Sequence, residues 1–222
     1  MQVNLKVVQL LSSRLCHDLV GPAGAVQNGI ELFEEMGSDV GEGALRIVAS
    51  SSEQLLARLA FFRLSFGQGG LSGRKPAIDE ARDLAQAFLE GGRISLDWPP
   101  DIGAKTLKAV TDPVIKLLLN MILVAIDGLP RGGVLKVSFM SVGNFQEEPE
   151  IVMTVKASGV GAFLNENMQL ALSSECLTQG EKGLNAHNIH GFFCQRLAEE
   201  QLSKIELSLA QDEVKISVLV PH

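Results

Sequence analysis

Two long stretches with apolar residues at helical spacing, separated by a short polar turn, decide how the first third of this 222-residue chain can fold. From about Leu5 to Met36 the apolar positions are Val8, Leu11, Leu15, Leu19, Val26, Ile30 and Phe33. From about Gly43 to Phe66 they are Leu45, Val48, Leu55, Leu59, Phe62 and Phe66, with Ser52 in the one polar slot of an alternating three-four spacing. Such periodicity predicts two amphipathic helices, and Gly37-Ser38-Asp39 between them supplies turn and capping chemistry. A hairpin with two seams and one partner leaves apolar surface wet. Either a second copy completes a four-helix bundle, which makes a homodimer the expectation, or the hairpin packs on the rest of its own chain. Four glycines between Gly67 and Gly73 then mark a linker, dividing the chain into residues 1–68 and 74–222.

The second part mixes periodicities. Ile78 to Leu89 reads as a helix, Ile94 to Trp98 as a strand, and Asp112 to Leu129 as a long buried helix with an Asp cap and Pro113 at its first position. Val134 to Met140 and Ile151 to Ala157 read as strands, His187 to Gln201 as a helix, and Lys204 to Leu209 with Val214 to Val220 as a terminal hairpin. The pattern predicts helices on one face of a mainly antiparallel sheet.

Chemistry concentrates in the first helix, in Arg14-Leu15-Cys16-His17-Asp18-Leu19-Val20-Gly21-Pro22. Imidazole, with an ordinary pKa of about 6.5, keeps a nucleophilic nitrogen near neutrality, and an adjacent carboxylate can orient it. Pro22 lacks the N–H that would bond back to the Asp18 carbonyl, so the helix is expected to bend past His17. His17 falls about 200° around the helix from Leu15, off the apolar seam. Its own stripe holds Arg14, Gly21, Gly24, Asn28 and Glu31. Glycines cost a helix about 1 kcal/mol each. Close approach of another backbone explains Gly21 and Gly24, and so does helix packing by small residues; the nearby His17 favours docking. Arg14 suits an incoming phosphate or serves as a surface helix former.

The run His17-Asp18-Leu19 with Pro22 resembles the phosphoacceptor segment of two-component histidine kinases. The longer run from Arg14 through Leu32 resembles the ChpT-type histidine phosphotransferases of alphaproteobacteria, except that Gly21 stands where that family usually has Ser. The order of elements in the second part resembles the ATP-binding GHKL domain of histidine kinases, with its nucleotide motifs eroded. In Asn120-Met121-Ile122-Leu123-Val124-Ala125 the magnesium-binding asparagine position is Val124. In Ala157-Ser158-Gly159-Val160-Gly161 alanine replaces the adenine-binding acid, and Asn185 to Gly191 keeps one glycine of the phosphate loop. The resemblance implies a four-helix bundle formed by dimerisation, followed by a degenerate GHKL α/β sandwich. It further implies a phosphorelay intermediate in which His17 accepts the phosphoryl group and Asp18 orients it. Arg14, Gly21, Pro22, Gly24 and Asn28 would contact phosphate or partner. The partners would be receiver domains of a hybrid kinase and of response regulators, with magnesium supplied by the receiver and no cofactor of the chain's own. A kinase with an atypical ATP site and a non-catalytic adaptor are the alternatives.

Net charge of −7 argues against a nucleic-acid partner. The most apolar run, Val114 to Ile126, is shorter than the roughly 20 residues a membrane span needs. Three widely spaced cysteines fit a reducing compartment, and no secretion signal stands at the N-terminus, so the expected location is the cytoplasm. His187, His190 and Cys194 could share a helix face and ligate zinc, but no fourth ligand is evident. Cys16 beside His17 reads as a buried apolar group, since helix neighbours do not face each other.

Overall fold

The computed structural model describes residues 5–36, 41–67, 78–101, 110–142, 150–173 and 183–220. The two periodic stretches form helices α1 (Leu5–Met36) and α2 (Gly41–Phe66), packed against each other as a hairpin. α1 runs through Pro22 as one helix. A Cβ on buried Gly29 would lie 2.7 Å from Val48 Cγ2 and 3.3 Å from the Ala44 carbonyl, so this glycine lets the two helices close up. The expected turn at 37–39 and most of the glycine-rich linker fall outside the described residues.

The remaining elements are α3 (Ile78–Leu89), β1 (Ile94–Asp97), α4 (Asp112–Asp127), β2 (Gly133–Val142), β3 (Glu150–Ser158), α5 (Glu166–Ala171), α6 (Ile189–Glu200), β4 (Ile205–Ala210) and β5 (Glu213–Val220). The sheet order is β1-β2-β3-β5-β4, parallel only between β1 and β2. Alternation places Ile151, Met153, Val155 and Ala157 of β3 and Val214, Ile216, Val218 and Val220 of β5 on the buried face. α4 is buried from Val114 to Ala125, as a helix apolar on nearly all sides must be. It lies on β2, β3 and β5 and is covered by α2, α3 and α6. The expected architecture, a helical hairpin followed by an ATPase-like α/β layer, is the one observed.

Several local expectations change. The N-cap of α4 is Thr111 rather than Asp112, with Pro113 in the first turn. α6 begins at Ile189, not His187, because Asn185 and Asn188 fold the preceding residues into a capping loop: Asn185 N–H donates to Asn188 Oδ1 and His187 N–H to Asn185 Oδ1, both at 2.8 Å. The short α5 carried no periodic signal; its N-cap Asn165 accepts from Met168 N–H at 2.9 Å.

The hairpin does pack on its own chain, but only in part. The last turns of α2 bury Phe61, Phe62 and Leu64 in the main core, where Phe61 and Phe62 meet Phe88 of α3 at ring distances of 4.5 and 5.7 Å. Val7 and Leu10 of α1 pack beside Phe192 of α6. Further up, Val8, Ile30, Phe33, Leu45, Leu56 and Leu59 stay exposed within the single chain. On α2 the exposed stripe follows Leu45, Ala49, Leu56 and Leu59, beside a second row, Val48, Ser51 and Leu55, that is more buried. One helix thus carries two adjacent seams, of which the chain itself covers one.

Candidate functional site

His17 stands on the outer surface of α1 with its side chain 81% exposed. Its Nδ1 lies 3.1 Å from Asp18 Oδ1. A carboxylate can only accept, so this contact is a hydrogen bond when Nδ1 carries the proton, leaving the Nε2 lone pair facing solvent. Asp18 is held from its other side, where Oδ2 accepts from Arg14 Nε at 3.1 Å. Arg14 extends the chain of contacts: its Nη2 donates to Asp127 Oδ1, at the end of α4, at 2.7 Å. Four side chains from two distant segments therefore run in series from the imidazole to the core of the second part.

Burial shapes the inner end of this series. It works against the Arg14 charge, but Asp127 and Asp18 outweigh it and leave the guanidinium pKa raised. Burial also pushes the Asp127 carboxyl up, with Arg14 opposing that shift. Beyond Asp127 lies His190, 1% exposed, with Nδ1 4.0 Å from Asp127 Oδ2 and Phe66 stacked on its ring at 5.7 Å. Burial, reinforced by the Arg14 charge, lowers the His190 pKa to about 4, so the ring is neutral at pH 7.

A cleft of about 360 Å³ opens between the hairpin and the α3–β1 turn, walled by Arg14, Asp18, Arg58, Arg93 and Asp127. His17 is not in its lining. Its imidazole stands on an exposed helix face outside that cleft, an arrangement that suits a macromolecular partner better than a small ligand. Gly21 and Gly24, one and two turns on, would carry a Cβ into open space. Packing within the chain therefore does not explain these two glycines. Asn28 is exposed and Pro22 partly so.

Sequence reasoning placed His17 and Asp18 together, and they are together. It left Arg14 between two roles, and the structure adds a third, an ion-paired bridge whose guanidinium is largely covered. It missed Asp127, although an acid closing an otherwise apolar helix just before Gly128 was a visible signal. Cys16 is exposed, not buried. His187 is exposed while His190 and Cys194 are buried, and among the described residues no group of three or more His, Cys, Asp or Glu could hold a metal.

The residues at the positions of the expected nucleotide motifs have structural occupations. Asn120 is fully buried and donates from Nδ2 to the Ser65 carbonyl at 3.1 Å and to the Lys116 carbonyl at 2.8 Å. Val124 and Ala157 are buried apolar groups. Gly159 gives way to the backbone of Gly132 and Gly133, and Gly161 turns the chain at φ +74°. Gly191 makes room for Met168, whose Sδ would lie 2.7 Å from a Cβ there. These residues do not fit ATP: they offer neither a ligand for its metal nor an acid for its adenine.

Residues 78–213 match the family of the histidine phosphotransferase C-terminal domain. The chain is 33% identical to the protein phosphotransferase ChpT of Brucella abortus (strain 2308) over 208 residues, covering 94% of this chain and 92% of that protein. A solved bacterial phosphotransferase structure, 28% identical, covers 98% of both chains with a TM-score of 0.73.

Proposed function

The chain belongs to the histidine phosphotransferase family, a phosphorelay family, and from that premise we propose that its phosphoacceptor is Nε2 of His17. The observation that carries this reading is the exposed imidazole with its Nδ1 against Asp18. The Nε2 lone pair attacks the phosphorus of a receiver's aspartyl phosphate; the N–P bond forms as the bond from phosphorus to the carboxylate oxygen breaks. Nε2 carries no proton that must leave. The ring gains positive charge, which the adjacent Asp18 carboxylate offsets. Transfer to a second receiver reverses the step.

Phosphoryl transfer depends chiefly on positioning and electrostatics, and magnesium held by the receiver would neutralise the moving phosphate. No step runs through ATP. The open space over Gly21 and Gly24 supports docking of the receiver beside His17. The exposed stripe on α2 supports a second copy of this chain as the partner that completes a four-helix bundle. No helix among the described residues is long and apolar enough to cross a membrane, and the cytoplasm is the proposed location.

The test is phosphotransfer in vitro from a phosphorylated receiver domain to wild type and to His17→Gln, with ATP alone as control. An acid-labile label on wild type only is the expected result. Labelling by ATP alone would make the chain a kinase, and equal labelling of His17→Gln would move the acceptor elsewhere.

A further inference from the structure

We infer that Asp127 is a positioning residue for the phosphoacceptor: by occupying one donor of Arg14 it keeps one oxygen of Asp18 free for His17. The inference rests on His17 being the acceptor and names a residue of the second part that controls it.

Nε and Nη2 form one edge of the planar guanidinium, an edge that ordinarily takes both oxygens of a single carboxylate. Here that edge is split: Nε goes to Asp18 Oδ2 at 3.1 Å and Nη2 to Asp127 Oδ1 at 2.7 Å. Asp18 Oδ1 is therefore left for His17 Nδ1. Without the Asp127 charge, Arg14 would be free to turn its whole edge onto Asp18, one helical turn away; Oδ1 would keep a second lone pair, but sharing the oxygen with a charged donor weakens and tilts its bond to the imidazole. The ring would then share its proton between both nitrogens, and part of the population would present Nε2–H, which is not a nucleophile.

Asp127 is built for this task. It ends α4, the most buried helix, so its Cα is fixed by the core. Its side chain is 21% exposed and faces Arg14, with Asp18, His187 and His190 as the other titratable groups around it. His190 Nδ1, at 4.0 Å, is too far for a hydrogen bond, so Oδ2 is unpartnered among the described residues. Asp127→Asn keeps the shape and removes the charge.

The mechanism makes a prediction that a simple structural clamp does not. If the Arg14–Asp127 pair only joins the two parts of the chain, then Asp127→Asn, Arg14→Gln and the double variant all lose the same interaction and are equally impaired. If Asp127 restrains Arg14, the single Asp127→Asn variant is the worst of the three, because only there does an unrestrained arginine remain to capture Asp18.

The experiment uses the full chain with ¹⁵N-histidine. The His17 imidazole signals, identified by their loss in His17→Gln, report the tautomer directly and need no phosphotransfer. Wild type is expected to carry its proton on Nδ1, Asp127→Asn to move toward Nε2–H, and Arg14→Gln/Asp127→Asn to return toward Nδ1–H. In parallel, transfer from a phosphorylated receiver should fall in Asp127→Asn by the same factor as the Nδ1–H population, about twofold for an equally shared proton, and recover in part in the double variant. An unchanged tautomer in Asp127→Asn, or equal loss of transfer in all three variants, overturns the inference. Normal labelling of His17→Gln instead overturns the assignment of the acceptor, and the tautomer measurement still decides the role of Asp127.

Discussion

Replacing Asn120 by alanine isolates what one buried amide contributes to the fold. Ser65 lies in the last turn of α2, where helix carbonyls have no partner within the helix. Asn120 reaches from the middle of α4 to donate to the Ser65 carbonyl, and so caps the hairpin from the second part. Truncation leaves that carbonyl buried and unpaired, at a cost of about 1–3 kcal/mol. The small void left by the amide adds about 1 kcal/mol. Against this, Asn120 Oδ1 is itself buried without a hydrogen-bond partner among the described residues, and its removal returns about 1 kcal/mol. The net loss is about 2 kcal/mol, which for a chain of this length lowers Tm by roughly 4–8 °C. The assay is thermal unfolding by circular dichroism beside phosphotransfer measured well below Tm. Transfer should stay near wild type, because Asn120 touches neither His17 nor its partners. An unchanged Tm, or lost transfer at unchanged Tm, would refute the view that this asparagine has become purely structural.

Three further outcomes follow from the same geometry. His190 should make the fold acid-sensitive. Its folded pKa of about 4 lies below the ordinary 6.5, so below pH 6.5 the unfolded chain binds the proton first and stability falls as pH drops. Between pH 7 and 5 this costs about 2 kcal/mol; the raised Asp127 carboxyl acts in the opposite sense, so the effect is read as the difference in urea midpoint slopes between wild type and His190→Leu, and equal slopes would sink it. Gly29→Ala should destabilise by about 1 kcal/mol, because overpacking outweighs the gain in helix propensity. Gly24→Ala, with nothing within 4 Å of its new methyl, should instead stabilise by up to about 1 kcal/mol, and a reversed order in urea midpoints would contradict the packing described. Leu56→Glu places a charge in the middle of the uncovered seam on α2, 66% exposed in the single chain. Sedimentation should then show monomer where wild type shows dimer, whereas a monomeric wild type would leave that stripe without its proposed occupant.

What the sequence disclosed followed from periodicity and local chemistry. The hairpin, α3, α4 and the five strands each carry a periodic or continuous apolar pattern that survives folding, so their existence was readable. The pairing of His17 with Asp18 was also readable, because the two residues are adjacent. Asp127 was visible as a lone acid, but its pairing with Arg14 and the place of His190 beside it were not, since they arise only after α4 and α6 have packed around the hairpin. Short-range competition hid other details. Asn185 and Asn188 bond to the backbone of their own loop and delay α6, and α5 is too brief to show a period. Cys16 reads as buried but is exposed, because a small thiol looks alike on either face of a helix whose covering partner is not in the sequence pattern.

The phenylalanines at the foot of α2 bear on how such a protein can be inherited. Phe61 and Phe62 touch Phe88, and Phe66 touches Phe193 and His190, so the base of the hairpin is also a wall of the second part. A gene fusion that transplanted the hairpin alone would strip these rings of their neighbours and leave Arg14 without Asp127. Recombination should therefore preserve the junction as a unit, and partner specificity would be free to drift only on the outer turns, away from that aromatic root.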